Sequence, residues 1–261
     1  MAEGKGRSRK EGSVRLFLPV LMLTLTSPAL VNAQSEPAST TATIDPARAA
    51  AALKLAQLLN SAENIIGDDG SNEKAIALVK EMTAGNEEVV KLEREYPGVM
   101  SDIARAVLPI INRSSRVRLP QLWDRQAALY AANFNAGELG TLFDFYNSPT
   151  GRKMVAGLGQ AKPTAMVAEA AKSKDFAITA PSVLSDIKTA VPEIMKTFGP
   201  DDERELLKLM QSGLLARLKG IASQTQTVAL DWQNESAPGE DGEIEKVTLA
   251  IIQKRIDGNH K

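Results

Sequence analysis

The chain has 261 residues and a formal net charge of −1, and it is 43% hydrophobic but only 4% aromatic. That length suits one helical domain or two small ones, and a core so poor in rings must be built from Leu, Ile, Val, Met and Ala, as in helix bundles. The lack of cysteine excludes disulfides and thiol chemistry, and a single histidine, His260, excludes histidine triads and histidine metal clusters.

The first 33 residues read as a targeting segment. Lys5, Arg7, Arg9, Lys10 and Arg15 form a positive n-region, Leu16 to Leu25 an apolar h-region, and Val31-Asn32-Ala33 a small-residue cleavage site before Gln34. The apolar run is short for a membrane span and contains Pro19, so cleavage is expected rather than anchoring. Cleavage removes five Lys/Arg and two Asp/Glu, leaving 26 basic and 30 acidic residues, net −4, which argues against general nucleic-acid binding. A cysteine-free exported chain fits the periplasm, where its core alone must stabilise it. Residues 34–44, rich in Ser, Thr, Ala and Pro, are expected to be a flexible leader, with a single all-helical domain over 45–261.

Asp45-Pro46 is an N-cap followed by proline at the first helical position. Leu55, Leu58, Leu59 and Ala62 give that helix an apolar face, GDDGSN at 67–72 is a loop, and Ile76, Val79 and Met82 mark the next helix. Asn86 caps another, which ends before Pro97. Ala161 to Ser173 reads as a helix and 175–179 as a loop. Over 227–232 helix is favoured above strand. A loop at 236–242 precedes a last helix with the stripe Ile244, Val247, Ile251, Ile252, Ile256.

The densest stretch is FNAGELGTLFDFYNSPTGRKM at 134–154. Asn135 and Glu138 form a capping-box pattern, with Phe134 and Leu139 placed as a hydrophobic staple. Leu139, Leu142, Phe143 and Tyr146 recur at helical spacing. Pro149 disfavours helical geometry at Ser148, while Ser148 suits an N-cap and Pro149 the first position of a new helix. The expectation is helix, tight corner, helix. The residues Phe134, Glu138, Leu139, Phe145, Tyr146, Ser148, Pro149, Gly151 and Lys153 resemble the signature of the domain of unknown function 2059 family, over roughly residues 120 to 160. The resemblance implies an exported, all-helical bacterial protein, and brings no activity, substrate or catalytic residue with it.

A degenerate repeat runs through the chain. PGVMSDIARAV at 97–107 matches PSVLSDIKTAV at 181–191, seven of eleven residues identical, at an offset of 84. The 134–154 stretch aligns with FGPDDERELLKLMQSGLLARL at 198–218 at an offset of 64, pairing Phe134 with Phe198, Leu142 with Leu206, Ser148 with Ser212 and Lys153 with Arg217. The alignment defines repeat units at about 97–157 and 181–221. The first carries a twenty-residue insertion between about 114 and 133, expected to form its own helix around Trp123.

Chemistry-bearing patterns are sparse. No phosphate-binding glycine loop occurs. Ser185-x-x-Lys188 and Ser71-x-x-Lys74 lack the companion motifs of penicillin-binding enzymes, and the counterpart of Lys188 is Ala104. Asp68, Asp69, Asn72 and Glu73 do not fit a calcium loop and read as a solvated turn. Arg113, Arg116, Arg118 and Arg125 with Trp123 form the one basic-aromatic cluster, suited to an anionic head group, and Phe143, Tyr146 and Met154 could line an apolar pocket.

Together these readings predict an all-α bundle of about seven to nine helices with a degenerate internal duplication. They predict no catalytic residues, cofactor or metal. Candidate binding residues are Arg116, Arg118, Trp123, Arg125, Tyr146, Ser148 and Lys153. The function expected is that of a periplasmic, non-enzymatic binding domain whose partner is an envelope protein or an anionic lipid; nucleic acid is not expected, nor a membrane span once the signal is cleaved. The alternative is an envelope hydrolase working with carboxylate, Tyr, Ser and Lys groups. It requires Glu138, Tyr146, Ser148 and Lys153 to face one cleft.

Overall fold

The computed structural model describes residues 45–66, 71–172 and 178–259. The signal segment at 1–33, the leader at 34–44, most of the 67–72 loop with its acidic pair, the start of the 175–179 loop and His260 lie outside the described residues. Within them the chain is all helical. The helices are α1 (Pro46–Leu59), α2 (Ala62–Ile66), α3 (Ser71–Thr83), α4 (Glu87–Glu95), α5 (Val99–Asn133), α6 (Ala136–Asn147), α7 (Pro149–Gly159), α8 (Thr164–Ala170), α9 (Ala180–Met195), α10 (Pro200–Gln211), α11 (Leu214–Asn234) and α12 (Glu240–Asn259). Among the described residues none is long and apolar enough to cross a membrane.

Twelve helices stand among the described residues where the apolar spacing predicted seven to nine. Short segments such as α2 and α8 span too few turns to show a period. The helix expected over 161–173 is confined to Thr164–Ala170, because Pro163 has no N–H to give a preceding turn. Caps fall where the residues place them. Asp45 accepts from the Ala47 N–H, and Asn86 accepts from the N–H groups of Glu88 and Val89.

The insertion departs most from expectation. It does not fold into a helix of its own beside the unit. It continues α5 without a break, so α5 runs 35 residues while its counterpart α9 runs 16. Twenty residues of helix displace the next element by about 30 Å. The segments 97–112 and 181–196 therefore stand in different surroundings: α5 packs against α1, α3, α11 and α12, and α9 against α7, α8 and α11. Even the shared Ser-Asp-Ile diverges. Asp102 pairs with Arg255, whereas buried Asp186 accepts from the Thr164 hydroxyl and the Ala165 and Met166 N–H groups, capping α8. Pro109 and Pro120 lie inside α5 on exposed positions. Water can satisfy the carbonyls they leave unbonded, which lets the long helix persist.

The main core joins α1, the C-terminal half of α5, α6, α7, α9, α10 and α11. A second core gathers Ile65, Ile66, Ile111, Leu119, Leu122, Ala229 and Trp232 between α2, α5 and α11. Trp123 packs against both cores and so joins them along α5.

Candidate functional site

The α6–α7 corner is built as its residues dictate. The Asn135 side chain accepts from the Glu138 N–H at 2.9 Å and the Glu138 carboxylate accepts from the Asn135 N–H at 2.8 Å, a complete capping box. Phe134 and Leu139 are buried in the main core. Ser148 ends α6 and caps α7, its Oγ accepting from the Gly151 N–H at 3.2 Å. Gly151 is required by contact: a Cβ there would lie 2.1 Å from the Phe145 carbonyl oxygen and 2.5 Å from Tyr146 Cα. The glycine lets α7 fold directly back on the end of α6.

Between this corner and α1 runs a groove of about 1000 Å³. Leu58, Leu139, Phe143, Tyr146 and Val155 line it, with alanines of α1 along one wall. Lys54 and Arg152 supply cations, and Glu63 and Asp144 anions, all on exposed positions. Tyr146 is only 2% exposed, and its ring meets Phe145 edge to face at 5.2 Å. Burial drives the Tyr146 phenol far above its ordinary value, as it does Tyr130. Neither hydroxyl can shed its proton at neutral pH, so each is a neutral polar group and not a base.

Behind the groove lies a buried polar cluster not anticipated from the sequence. The Asn60 side chain donates to Gln126 Oε1 at 3.1 Å, the Tyr130 hydroxyl donates to the same oxygen at 2.9 Å, and the Trp123 indole donates to the Asn60 carbonyl at 2.8 Å. Asn60 is the C-cap of α1 and Gln126 a mid-helix position of α5, and nothing in the local pattern sets either apart from a surface residue.

The predicted binding residues do not converge. Arg118 is buried, donates to the Trp232 and Glu235 carbonyls at the end of α11, and lies over the Trp232 ring at 5.0 Å. Arg125 forms a two-pronged pair with Glu235 at 2.7 and 2.8 Å. Arg113 meets Glu243 at 2.5 Å, and Arg116 is exposed. Arg113, Arg118 and Arg125 fasten α5 to the end of α11 and to α12. Of the seven candidates, Tyr146 alone lines the groove. Lys153 turns away to Asp202, and Ser148 is occupied as a cap. Glu138, Tyr146, Ser148 and Lys153 thus face no common cleft.

Lys153 and Asp202 belong to a reciprocal arrangement. Lys153 Nζ lies 2.5 Å from Asp202 Oδ2, and Arg217 pairs with Glu138. The offset of 64 maps Lys153 onto Arg217 and Glu138 onto Asp202. Asp202 accepts from the Gly199 N–H at 2.9 Å, as Glu138 does from Asn135. Each unit therefore sends a cation from its second helix to the acid that caps the first helix of the other. Equivalent apolar positions are buried in both: Leu142 and Leu206, Phe145 and Leu209, Met154 and Leu218, Leu158 and Ala222. The aligned charges of the two segments held this signal.

No curated protein and no solved structure matches the chain. Residues 121–177, which carry the end of α5, the α6–α7 corner and α8, match the family model of an uncharacterized protein conserved in bacteria, the domain of unknown function 2059 family (DUF2059).

Proposed function

We propose that the protein is an exported periplasmic domain that acts by binding, not by catalysis, and that the groove between α1, α6 and α7 is its ligand site. The observation that carries this reading is the groove itself: a concave channel walled on one side by Phe143, Tyr146 and Val155 of the segment that matches the family, and on the other by α1, with Leu58, which lies outside that segment. Its volume is that of a small-molecule site. The rim carries Glu63 and Asp144 as well as Lys54 and Arg152; the ligand class we propose is an envelope lipid whose body lies on the apolar wall and whose anionic head group meets the two cations. Export rests on the n-region, the h-region and Val31-Asn32-Ala33.

The test uses protein recovered from the periplasm of a bacterial host. Mass spectrometry should find an anionic lipid retained by the wild type and lost from Phe143→Glu, whose fold circular dichroism should show intact. Retention of a protein in place of lipid would move the site to the envelope-protein class. No retained species, or retention unchanged by Phe143→Glu, would overturn the groove. N-terminal sequencing should begin at Gln34; an intact Met1 in the membrane fraction would overturn export.

A further inference from the structure

The two halves of α12 are attached to the body in different ways. The helix lies antiparallel along the first half of α5, and among the described residues no other helix is laid along it. Its first half is well anchored. The buried Glu240 carboxylate accepts from the Ser114 hydroxyl, and from the Ala237 N–H at 2.9 Å. Glu243 pairs with Arg113 at 2.5 Å, and Ile244 packs against the second core.

The second half has no such anchorage. Leu249 is 57% exposed, and Ile251, Ile252 and Ile256 are half-buried. None of the four belongs to a hydrophobic core among the described residues. Arg255 holds this half in place. Its guanidinium donates to the Asp102 carboxylate, from Nε at 3.1 Å and from Nη2, and from Nη1 to the Pro97 carbonyl at 3.3 Å. Arg255 and Asp102 are each more than a third exposed. An open cleft of about 770 Å³ runs beneath this half, between Asp102 and Ala106 of α5 and Ile251 and Gly258 of α12. Solvent therefore reaches the ion pair, and salt can screen it.

We infer that the second half of α12 is a strap that opens from α5 while the rest of the fold stays closed, and that the Arg255–Asp102 pair is its latch. Few buried apolar contacts and an exposed polar tie are what set a low free energy of local opening. A released stretch of about ten residues is too short to stay helical in water. Opening therefore unwinds it, breaks its backbone hydrogen bonds and uncovers the α5 face at Asp102 and Ala106. The strap lies apart from the α1–α6–α7 groove and does not depend on what that groove holds.

Residue-resolved hydrogen exchange on the mature protein tests this. Amides 250–256 should exchange about tenfold or more faster than amides 244–248, and at one common protection level, as a single opening requires. Arg255→Met should speed 250–256 about fivefold and leave 244–248 and α11 unchanged. Raising the salt concentration should speed 250–256 in the wild type, relative to α11, and have little effect in Arg255→Met. The wild-type salt series stands by itself should the variant fold poorly. Protection that fades steadily toward Asn259 would mean ordinary fraying and overturn the strap. Equal exchange in both halves, or equal acceleration of both by Arg255→Met, would do the same. Exchange at 250–256 untouched by salt or by Arg255→Met would overturn the latch.

Discussion

Lys153 on α7 and Asp202 on α10 close an ion pair at 2.5 Å between segments 49 residues apart, and the pair is mirrored by Arg217 and Glu138. The Lys153 ammonium, the Gly199 N–H and the Thr150 hydroxyl hold the Asp202 carboxyl down at about 2. Its native value lies below its unfolded one, so the unfolded chain binds more protons in between. The stabilisation is complete above the unfolded value of about 3.9 and is lost as pH falls through about 2. Thermal midpoints should fall across this acid window, and Lys153→Met should flatten part of the fall. Identical pH slopes for the two proteins between pH 4 and pH 2 would refute the role given to Lys153.

Two glycines of the corner region should respond in opposite senses. Gly151→Ala drives a methyl into the Phe145 carbonyl and the Tyr146 backbone and should cost on the order of 3 kcal/mol. Gly140 on α6 meets nothing within 4 Å, so Gly140→Ala should gain roughly 0.5–1 kcal/mol from helix propensity. Urea unfolding of both variants decides; a neutral Gly151→Ala would mean that the corner is loose.

Tyr146 contributes a buried ring and a neutral hydroxyl, which can be separated. Tyr146→Ala should cost about 3 kcal/mol through the cavity it leaves. Tyr146→Phe keeps the ring and should alter ligand retention more than stability. Pro149→Ala should cost on the order of 1 kcal/mol, because proline chiefly restricts the unfolded chain. Unchanged stability in Tyr146→Ala would contradict its place in the core.

Arg118 should prove structural. Its guanidinium serves two carbonyls at the end of α11 and stacks on Trp232, so Arg118→Ala should cost on the order of 2–3 kcal/mol. Arg118→Lys should restore little, since an ammonium cannot span both carbonyls while lying flat on the ring. Chemical denaturation measures both; full rescue by lysine would show that only the charge matters.

What the sequence by itself determined is local. Asp45, Asn86, Asn135 and Ser148 announce helix starts, and Pro149 announces the corner, because caps and proline act through a few neighbouring backbone bonds. Helical class comes from apolar spacing, and the motif residues Phe134 to Lys153 carry the family resemblance. The insertion was visible in the two offsets, but its fate was not. Whether twenty residues fold beside a helix or lengthen it depends on whether α1, α11 and α12 are there to bury the extended surface, and no local pattern records that.

Only the tertiary structure decided which polar residues are working parts of the fold. Arg116, Arg118, Trp123 and Arg125 read as one cluster in sequence, yet on a helix residues two apart face different ways. Arg118 points into the body while Arg116 stays exposed. Asn60 and Gln126 meet across 66 positions, and Glu138 and Arg217 across 79. The charge signs at 138, 153, 202 and 217 were legible, but their exchange between units was not. An ion pair is set by distance in space, and that distance is decided by how α7, α10 and α11 pack.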